Sequence, residues 1–186
     1  IMHSLIPISD NSWASISLCR FDQYMLPFYL KEENRELIRQ KELSVKNAER
    51  RIASVKNEYA FIIIDCPPSL GMLTVKALSS SDGVVIPMQC EFFALEGLSQ
   101  LMMTVRRVKN QFNPTLGILG ILITMYDGRL NLSAQVLTEL KKYYADKLFR
   151  TMIPRNVKLS EAPSFGAPVY YHDKYSRGSL AYVDVA

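Results

Sequence analysis

One acidic side chain stands where it could hold a metal ion. Asp65 directly follows an apolar run at residues 61–64, and short continuous apolar runs are typical of strands that are buried on both faces. A carboxylate at the end of such a strand lies at the rim of a dry sheet, where it can hold Mg²⁺ directly or through water. Asp65 could equally cap the turn or the next helix, so the residue alone leaves both interpretations open.

The same arrangement recurs three more times along the chain. Each further apolar run is followed by polar or turn-forming residues, which marks the carboxyl ends of predicted strands as the places where function should lie. The runs are at residues 84–87, 117–123 and 148–153, and the segments after them are at residues 89–91, 124–127 and 154–156.

Helical patterns lie between these runs and predict the elements that position them. Apolar residues recur at helical spacing, and the predicted helices cover residues 70–80, 94–112 and 132–145. Strands and helices that alternate with short connections form right-handed βαβ units. We therefore expect an α/β fold with a mostly parallel sheet and helices on both faces.

The N-terminal third of the chain carries weaker signals. Residues 31–58 combine an apolar stripe at helical spacing with charges of both signs, which predicts an amphipathic helix whose charges form a solvated face. Residues 1–30 show no clean period. We expect residues 1–58 to be a divergent or poorly placed segment and residues 59–186 to form the C-terminal part of a single domain.

Composition excludes several classes of protein. With 48% hydrophobic and 22% charged residues the chain is typical of a globular domain, and its apolar runs are too short to span a membrane. Cys19, Cys66 and Cys90 contain no CxxC pair, so we expect buried structural thiols. The sequence contains only two histidines and no GxSxG motif, which disfavours serine or cysteine nucleophilic catalysis. A net charge of +4 is compatible with a polyanionic partner but does not require one.

The site segments, taken together, resemble the ParA/Soj-type partitioning ATPases, a deviant-Walker branch of the P-loop NTPases. Residues 61–71 are similar to the Walker B and switch II segment of that family. The resemblance runs in unbroken order over about residues 59–186. Its other parts are residues 89–98, 124–127 and 153–164, then Asp173, Ser176-Arg177-Gly178 and Ala181-Tyr182.

The resemblance implies a Mg-ATP site. It assigns Asp65 to the Walker B position, where the carboxylate organises magnesium, and the contact with the ion is expected through water. In the family, the segment like Pro154, Arg155 and Asn156 lines the adenine base, although these residues are also compatible with a helix-to-loop turn.

Switch II would contain Pro67, Pro68 and Gly71. The two prolines fix φ and remove backbone donors, and the glycine supplies a pivot, so the loop would be a stiff arm that senses the γ-phosphate.

The resemblance also implies DNA binding without sequence preference by an ATP-bound homodimer. Arg129 and Lys158 match two basic positions of the family, and exposed cations on loops can neutralise phosphates without base contacts. Without the resemblance, each would be an ordinary surface charge. A ParB/Spo0J-like centromere-binding partner, the absence of a membrane partner, and a cytoplasmic, nucleoid-associated location follow as expectations.

One part of the family pattern does not occur in the sequence. No GxxxxGK[ST] motif and no lysine-first variant is present, so the Walker A loop is missing. We expect the chain to be an N-terminally incomplete fragment that is inactive alone. Two alternatives stay open: a MinD-like division-site ATPase, which needs a C-terminal amphipathic membrane helix, and a module without a P-loop that only dimerises or contacts DNA.

Overall fold

The computed structural model describes residues 35–66 and 70–186, with side chains described from residue 43 onward. Helices dominate, and the two named strands form one sheet. In chain order the elements are α1 (Arg35–Val55), α2 (Met72–Ser79), β1 (Gly83–Gln89), α3 (Ala94–Gln111), β2 (Gly117–Thr124), α4 (Asn131–Tyr144), α5 (Val157–Glu161), α6 (Val169–His172) and α7 (Arg177–Val185), with 3-10 turns at Ala145–Lys147 and Ala162–Phe165.

The predicted α/β class is confirmed. Strands β1 and β2 are neighbours in the sheet and are joined through α3, and isolated parallel bridges extend the pairing beyond β2. Helices α1, α2, α3 and α4 form where the periodicity of the sequence predicts them. Burial is continuous over residues 120–123 of β2, as expected for a strand covered on both faces.

Strand β1 differs from that expectation. Ile86 and Met88 are buried, whereas Val85, Pro87 and Gln89 between and beside them are exposed. This alternation is the pattern of a strand with one covered face. Among the described residues, nothing buries the second face of β1.

Two predicted strands are wrong as continuous strands. At residues 61–64 a single bridge residue, Ile63, is present, and it is 48% exposed. At residues 148–153 the chain follows β2 with a bulge: Phe149 N donates to Ile121 O at 3.0 Å, and Ile153 N donates to Ile123 O at 2.8 Å. Between these two hydrogen bonds the 148–153 segment advances by four residues while β2 advances by two. A bend in the segment accommodates the extra residues.

The described residues belong to two compact units. The first unit comprises Val85–Leu98 and Ile118–Ala186, and the second comprises residues 35–66, 70–84 and 99–117. The first unit has a core between the end of β2 and the C-terminal helices. Its buried members are Leu122, Ile153, Leu159, Ala162, Val169 and Ala181.

A glycine allows the bulged segment to approach β2 in the first unit. A Cβ atom at Gly120 would lie 2.6 Å from a ring carbon of Phe149 and 3.0 Å from the carbonyl oxygen of Lys147. Phe149 in turn packs against the core of this unit. Gly120 is therefore needed for close approach rather than for an unusual backbone angle.

The second unit is held by helix packing and by polar contacts at helix ends. Helices α1 and α2 contact each other, and Val45 of α1 is 1% exposed. Asn113 Nδ2 donates to Leu78 O (3.2 Å) and Ser81 O (2.8 Å), so it fixes the end of α3 against the end of α2. Side-chain bonds to backbone carbonyls of this kind satisfy groups that a helix end leaves open.

The cysteine expectation is half right. Cys90 is buried, but Cys66 is exposed, so the expectation of a buried thiol is wrong for Cys66; Cys19 lies outside the described residues. Within the described part of the chain, no helix is both long and apolar enough to span a bilayer.

Candidate functional site

Backbone hydrogen bonds join two of the predicted site segments beyond the end of β2. Tyr126 forms a parallel bridge with Pro154, in which Tyr126 N donates to Ile153 O at 2.9 Å. Arg155 N donates to Tyr126 O at 3.1 Å. The segments at residues 124–127 and 154–156, which the sequence separates, therefore lie side by side.

A strained turn leads into this bridge. Met125 has φ of 49°, in the left-handed region, which costs roughly 1–2 kcal/mol for a residue that carries a Cβ atom. Contacts on both sides hold it: Thr124 Oγ1 donates to Met88 O at 3.5 Å, and Tyr126 is bonded as described above. The turn ends the ladder of β2 and starts the loop that carries Asp127 and Arg129.

Asp127 holds Arg129 through three hydrogen bonds. Arg129 Nε donates to Asp127 Oδ1 at 2.9 Å, Nη2 donates to Oδ2 at 2.6 Å, and the backbone N of Arg129 donates to Oδ1 at 3.1 Å. The side chain of Asp127 is 16% exposed, whereas that of Arg129 is 89% exposed. The carboxylate is thus the anchored partner and the guanidinium is on the surface.

The same contacts keep the pair charged. The side-chain and backbone hydrogen bonds from Arg129, with smaller contributions from the charges of Arg129 and Arg155, hold the pKa of the Asp127 carboxyl well below its ordinary range. The bond and charge of Asp127 raise the pKa of Arg129. Protonation of Asp127 therefore cannot break the pair near neutral pH.

Asn156 starts the short helix that carries Lys158. Its backbone is extended, and its Oδ1 accepts a hydrogen bond from Lys158 N at 2.9 Å. This is the N-cap arrangement that asparagine favours. The cap uses one lone pair of Oδ1, and Nδ2 is the donor that this side chain could offer to a nucleotide base.

Lys158 is paired with a carboxylate one turn along α5. Its Nζ donates to Glu161 Oε2 at 2.8 Å, and His172 Nε2 lies 3.4 Å from the same oxygen. The bond to Glu161 raises the pKa of Lys158, and the bonds from Lys158 and His172 lower the pKa of Glu161. The ring of His172 stacks on Phe165 with centroids 4.7 Å apart.

Asp65, predicted for magnesium, and Gly71, predicted for switch II, belong to the second unit. Asp65 is exposed and follows the bridge residue Ile63. Gly71 is the N-cap of α2 with φ −80° and ψ −172°, an extended backbone that any residue adopts, and its carbonyl accepts from Val75 N at 3.2 Å. Pro67 and Pro68 lie outside the described residues.

Asp65 supplies a single carboxylate to the predicted magnesium position. Across residues 35–66 and 70–186, no three histidine, cysteine, aspartate or glutamate side chains form a metal cluster. Magnesium is commonly held by one or two carboxylates together with water and substrate phosphates. One exposed carboxylate is compatible with that role, in which water and a nucleotide would supply the other ligands.

Sequence reasoning missed the carboxylate partners of the two cations. The spacing of Lys158 and Glu161 is a recognisable helical ion-pair spacing, so that pair could have been found. The sequence marks Asp127 only as part of a polar segment after a predicted strand, and its hydrogen bonds with Arg129 depend on the turn geometry. His172 lies eleven residues after Glu161, and only the fold brings the two together.

Comparison with known proteins identifies relatives of this chain. A family model described as an AAA domain matches residues 14–118. The chain is 58% identical over 137 residues to the sporulation initiation inhibitor protein Soj of Bacillus subtilis, covering 74% of this chain and 54% of that protein. It is 52% identical over 128 residues to the chromosome partitioning protein ParA of Caulobacter vibrioides, covering 69% and 48%.

Solved structures share the fold. Cobyrinic acid a,c-diamide synthase from Mycobacterium smegmatis, solved with ADP and magnesium, matches with a TM-score of 0.58 and 33% identity over 73% of this chain and 48% of that one. The cell division ATPase MinD of Pyrococcus furiosus matches with a TM-score of 0.60 and 22% identity over 76% and 56%, a level that concerns the fold alone. The chain spans about half the length of the curated relatives it matches.

Proposed function

Because this chain belongs to the ParA/Soj-type partitioning ATPases, we propose that it supplies the DNA-contact surface and part of the Mg-ATP site of a DNA-partitioning ATPase. Its closely similar relatives are named as chromosome partitioning proteins. The proposed protein binds ATP and magnesium, dimerises, and binds DNA without sequence preference. A ParB/Spo0J-like partner and a cytoplasmic, nucleoid-associated location belong to the same proposal.

The observation that carries the DNA-contact proposal is the bridge between Tyr126 and Pro154. Arg129 lies three residues after Tyr126 and Lys158 lies four residues after Pro154, and the bridged segments run parallel, so we expect both cations near the same edge of the first unit. Their side chains are 89% and 44% exposed. Exposed cations at one edge suit contacts with phosphate oxygens, which need no base recognition.

The nucleotide part of the proposal rests on Asp65 and on residues 154–156. Magnesium, when bound with ATP, neutralises phosphate charge and organises the phosphates for transfer to water. Asp65 would hold the water shell of that ion. The backbone around Pro154, with Arg155 and Asn156 Nδ2, would line the adenine. Because the sequence contains no GxxxxGK[ST] motif, we propose that the chain alone holds the phosphates poorly.

DNA titration of the chain tests the proposed surface. We expect Arg129→Ala with Lys158→Ala to remove most affinity for a 24-base-pair duplex and to reduce the slope of log affinity against log salt by about 0.9 for each lost contact. Two duplexes of unrelated sequence should behave alike. Lys142→Ala is the matched control, since Lys142 is 56% exposed and pairs with Glu139 on α4. The proposal fails if the double variant keeps the affinity and salt slope of the wild type.

A further inference from the structure

Both cations assigned to DNA phosphates are already occupied by carboxylates of the same chain. Arg129 is held by Asp127 with contacts of 2.9 and 2.6 Å, and Lys158 is held by Glu161 at 2.8 Å. Each pair contributes no net charge to the surface. An approaching polyanion therefore meets two neutral pairs where the sequence shows two positive charges.

We propose that Asp127 and Glu161 are internal competitors of DNA phosphate, so that DNA binds by displacing a carboxylate from each cation. This inference rests on the proposed contact of Arg129 and Lys158 with DNA. The Nε and Nη2 groups of Arg129 donate to the two carboxylate oxygens of Asp127. The same two groups would donate to two oxygens of a phosphate. Carboxylate and phosphate thus compete for the same donors.

Displacing the two carboxylates from their cations should cost the protein little free energy, because neither carboxylate is left without a partner. After Arg129 swings to a phosphate, Asp127 Oδ1 still accepts from the backbone N of Arg129 at 3.1 Å and still lies in the field of Arg155. After Lys158 leaves, Glu161 Oε2 still lies 3.4 Å from His172 Nε2. Both cations are at the surface, and exposed ion pairs are weak.

The consequence is a surface with weak, readily reversed affinity. A neutral pair attracts a polyanion less at long range than an open cation does, and each phosphate contact must replace an existing one. Replacing Asp127 or Glu161 by a neutral residue should therefore strengthen DNA binding, although neither residue contacts the phosphate itself.

The experiment measures duplex affinity of the chain by fluorescence anisotropy across a salt series. Asp127→Asn and Glu161→Gln keep side-chain size and remove the charge. We expect each to tighten binding by about two- to fivefold, the range expected for one exposed ion pair. Glu139→Gln is the control: it removes a carboxylate paired with Lys142 at 2.5 Å and raises the net charge by the same amount, but it lies on α4.

The outcomes separate this inference from the proposed function. Tighter binding by Asp127→Asn and Glu161→Gln than by Glu139→Gln supports internal competition. Equal gains in all three reflect net charge alone and overturn it, as do weaker or unchanged affinities of the first two. The variant that combines Arg129→Ala and Lys158→Ala reports the proposed function: if its affinity is unchanged, the DNA surface itself is wrongly assigned.

Discussion

Helices α5 and α7 meet at a glycine. A Cβ atom at Gly178 would lie 2.6 Å from Leu159 Cγ and 2.8 Å from its Cδ1. Leu159 is 3% exposed and belongs to the core of the first unit. This contact fixes α5, which carries Lys158, against α7.

Gly178→Ala should therefore destabilise the first unit. We expect a loss of about 1–3 kcal/mol in the free energy of unfolding, since the added methyl group forces Leu159 out of place. Gly97→Ala is the control, because a Cβ atom at Gly97 of α3 meets no other atom within 4 Å and alanine favours helices. Denaturant titration measures both, and equal stability of the two variants would contradict the packing described.

Asn156→Ala should loosen the start of α5. Loss of the Oδ1 contact with Lys158 N should cost about 1 kcal/mol of unfolding free energy. Asn156→Asp keeps a capping oxygen, so we expect that variant to retain most of the wild-type stability. Chemical denaturation of the three proteins checks this order, and full stability of the alanine variant would show that the cap is dispensable.

The Asp127–Arg129 pair should make the stability of the fold depend on pH in the acid range. The pKa of Asp127 is lowered in the fold, so its contribution is present above the unfolded value, about 3.9, and is lost as pH falls towards the folded value. Solvent exposure of Arg129 keeps the effect small. The melting temperatures of wild type and Asp127→Asn should differ slightly at pH 7, and the difference should shrink progressively as pH falls below about 3.9. A constant difference across this range would exclude the linkage.

Asp65→Ala should affect magnesium chemistry more than folding. Asp65 is exposed, so its removal deletes little packed area, whereas the proposed water shell of Mg²⁺ would lose its carboxylate. In a protein that joins this chain to the phosphate-binding loop of the family, we expect turnover at saturating Mg²⁺ to fall about a hundredfold or more, the size of effect seen when one charge-stabilising group is removed.

Melting temperature provides the control for that experiment and should shift little. The same turnover in wild type and Asp65→Ala would show that Asp65 is a turn residue.

Local pattern was sufficient to predict the helices and the class of fold. The stripes of α1 and α3 and the continuous apolar run of β2 are periodic signals that depend on near neighbours in sequence. The same signals failed at residues 61–64 and 148–153, because an apolar run does not report how many residues oppose it or whether both faces are covered. The bulge between Phe149 and Ile153 and the exposure of Ile63 depend on neighbours elsewhere in the chain.

Motif order and residue type can be read along the chain, and they were enough to assign the family and to indicate Arg129 and Lys158 as candidate phosphate contacts. The fold was needed to show that Asp127 and Glu161 already pair with those cations, and that His172 lies beside Glu161 across eleven residues. Charge is a property of a residue, whereas the partner of a charge is set by turn geometry and helix packing. Those are fixed only when the whole unit folds.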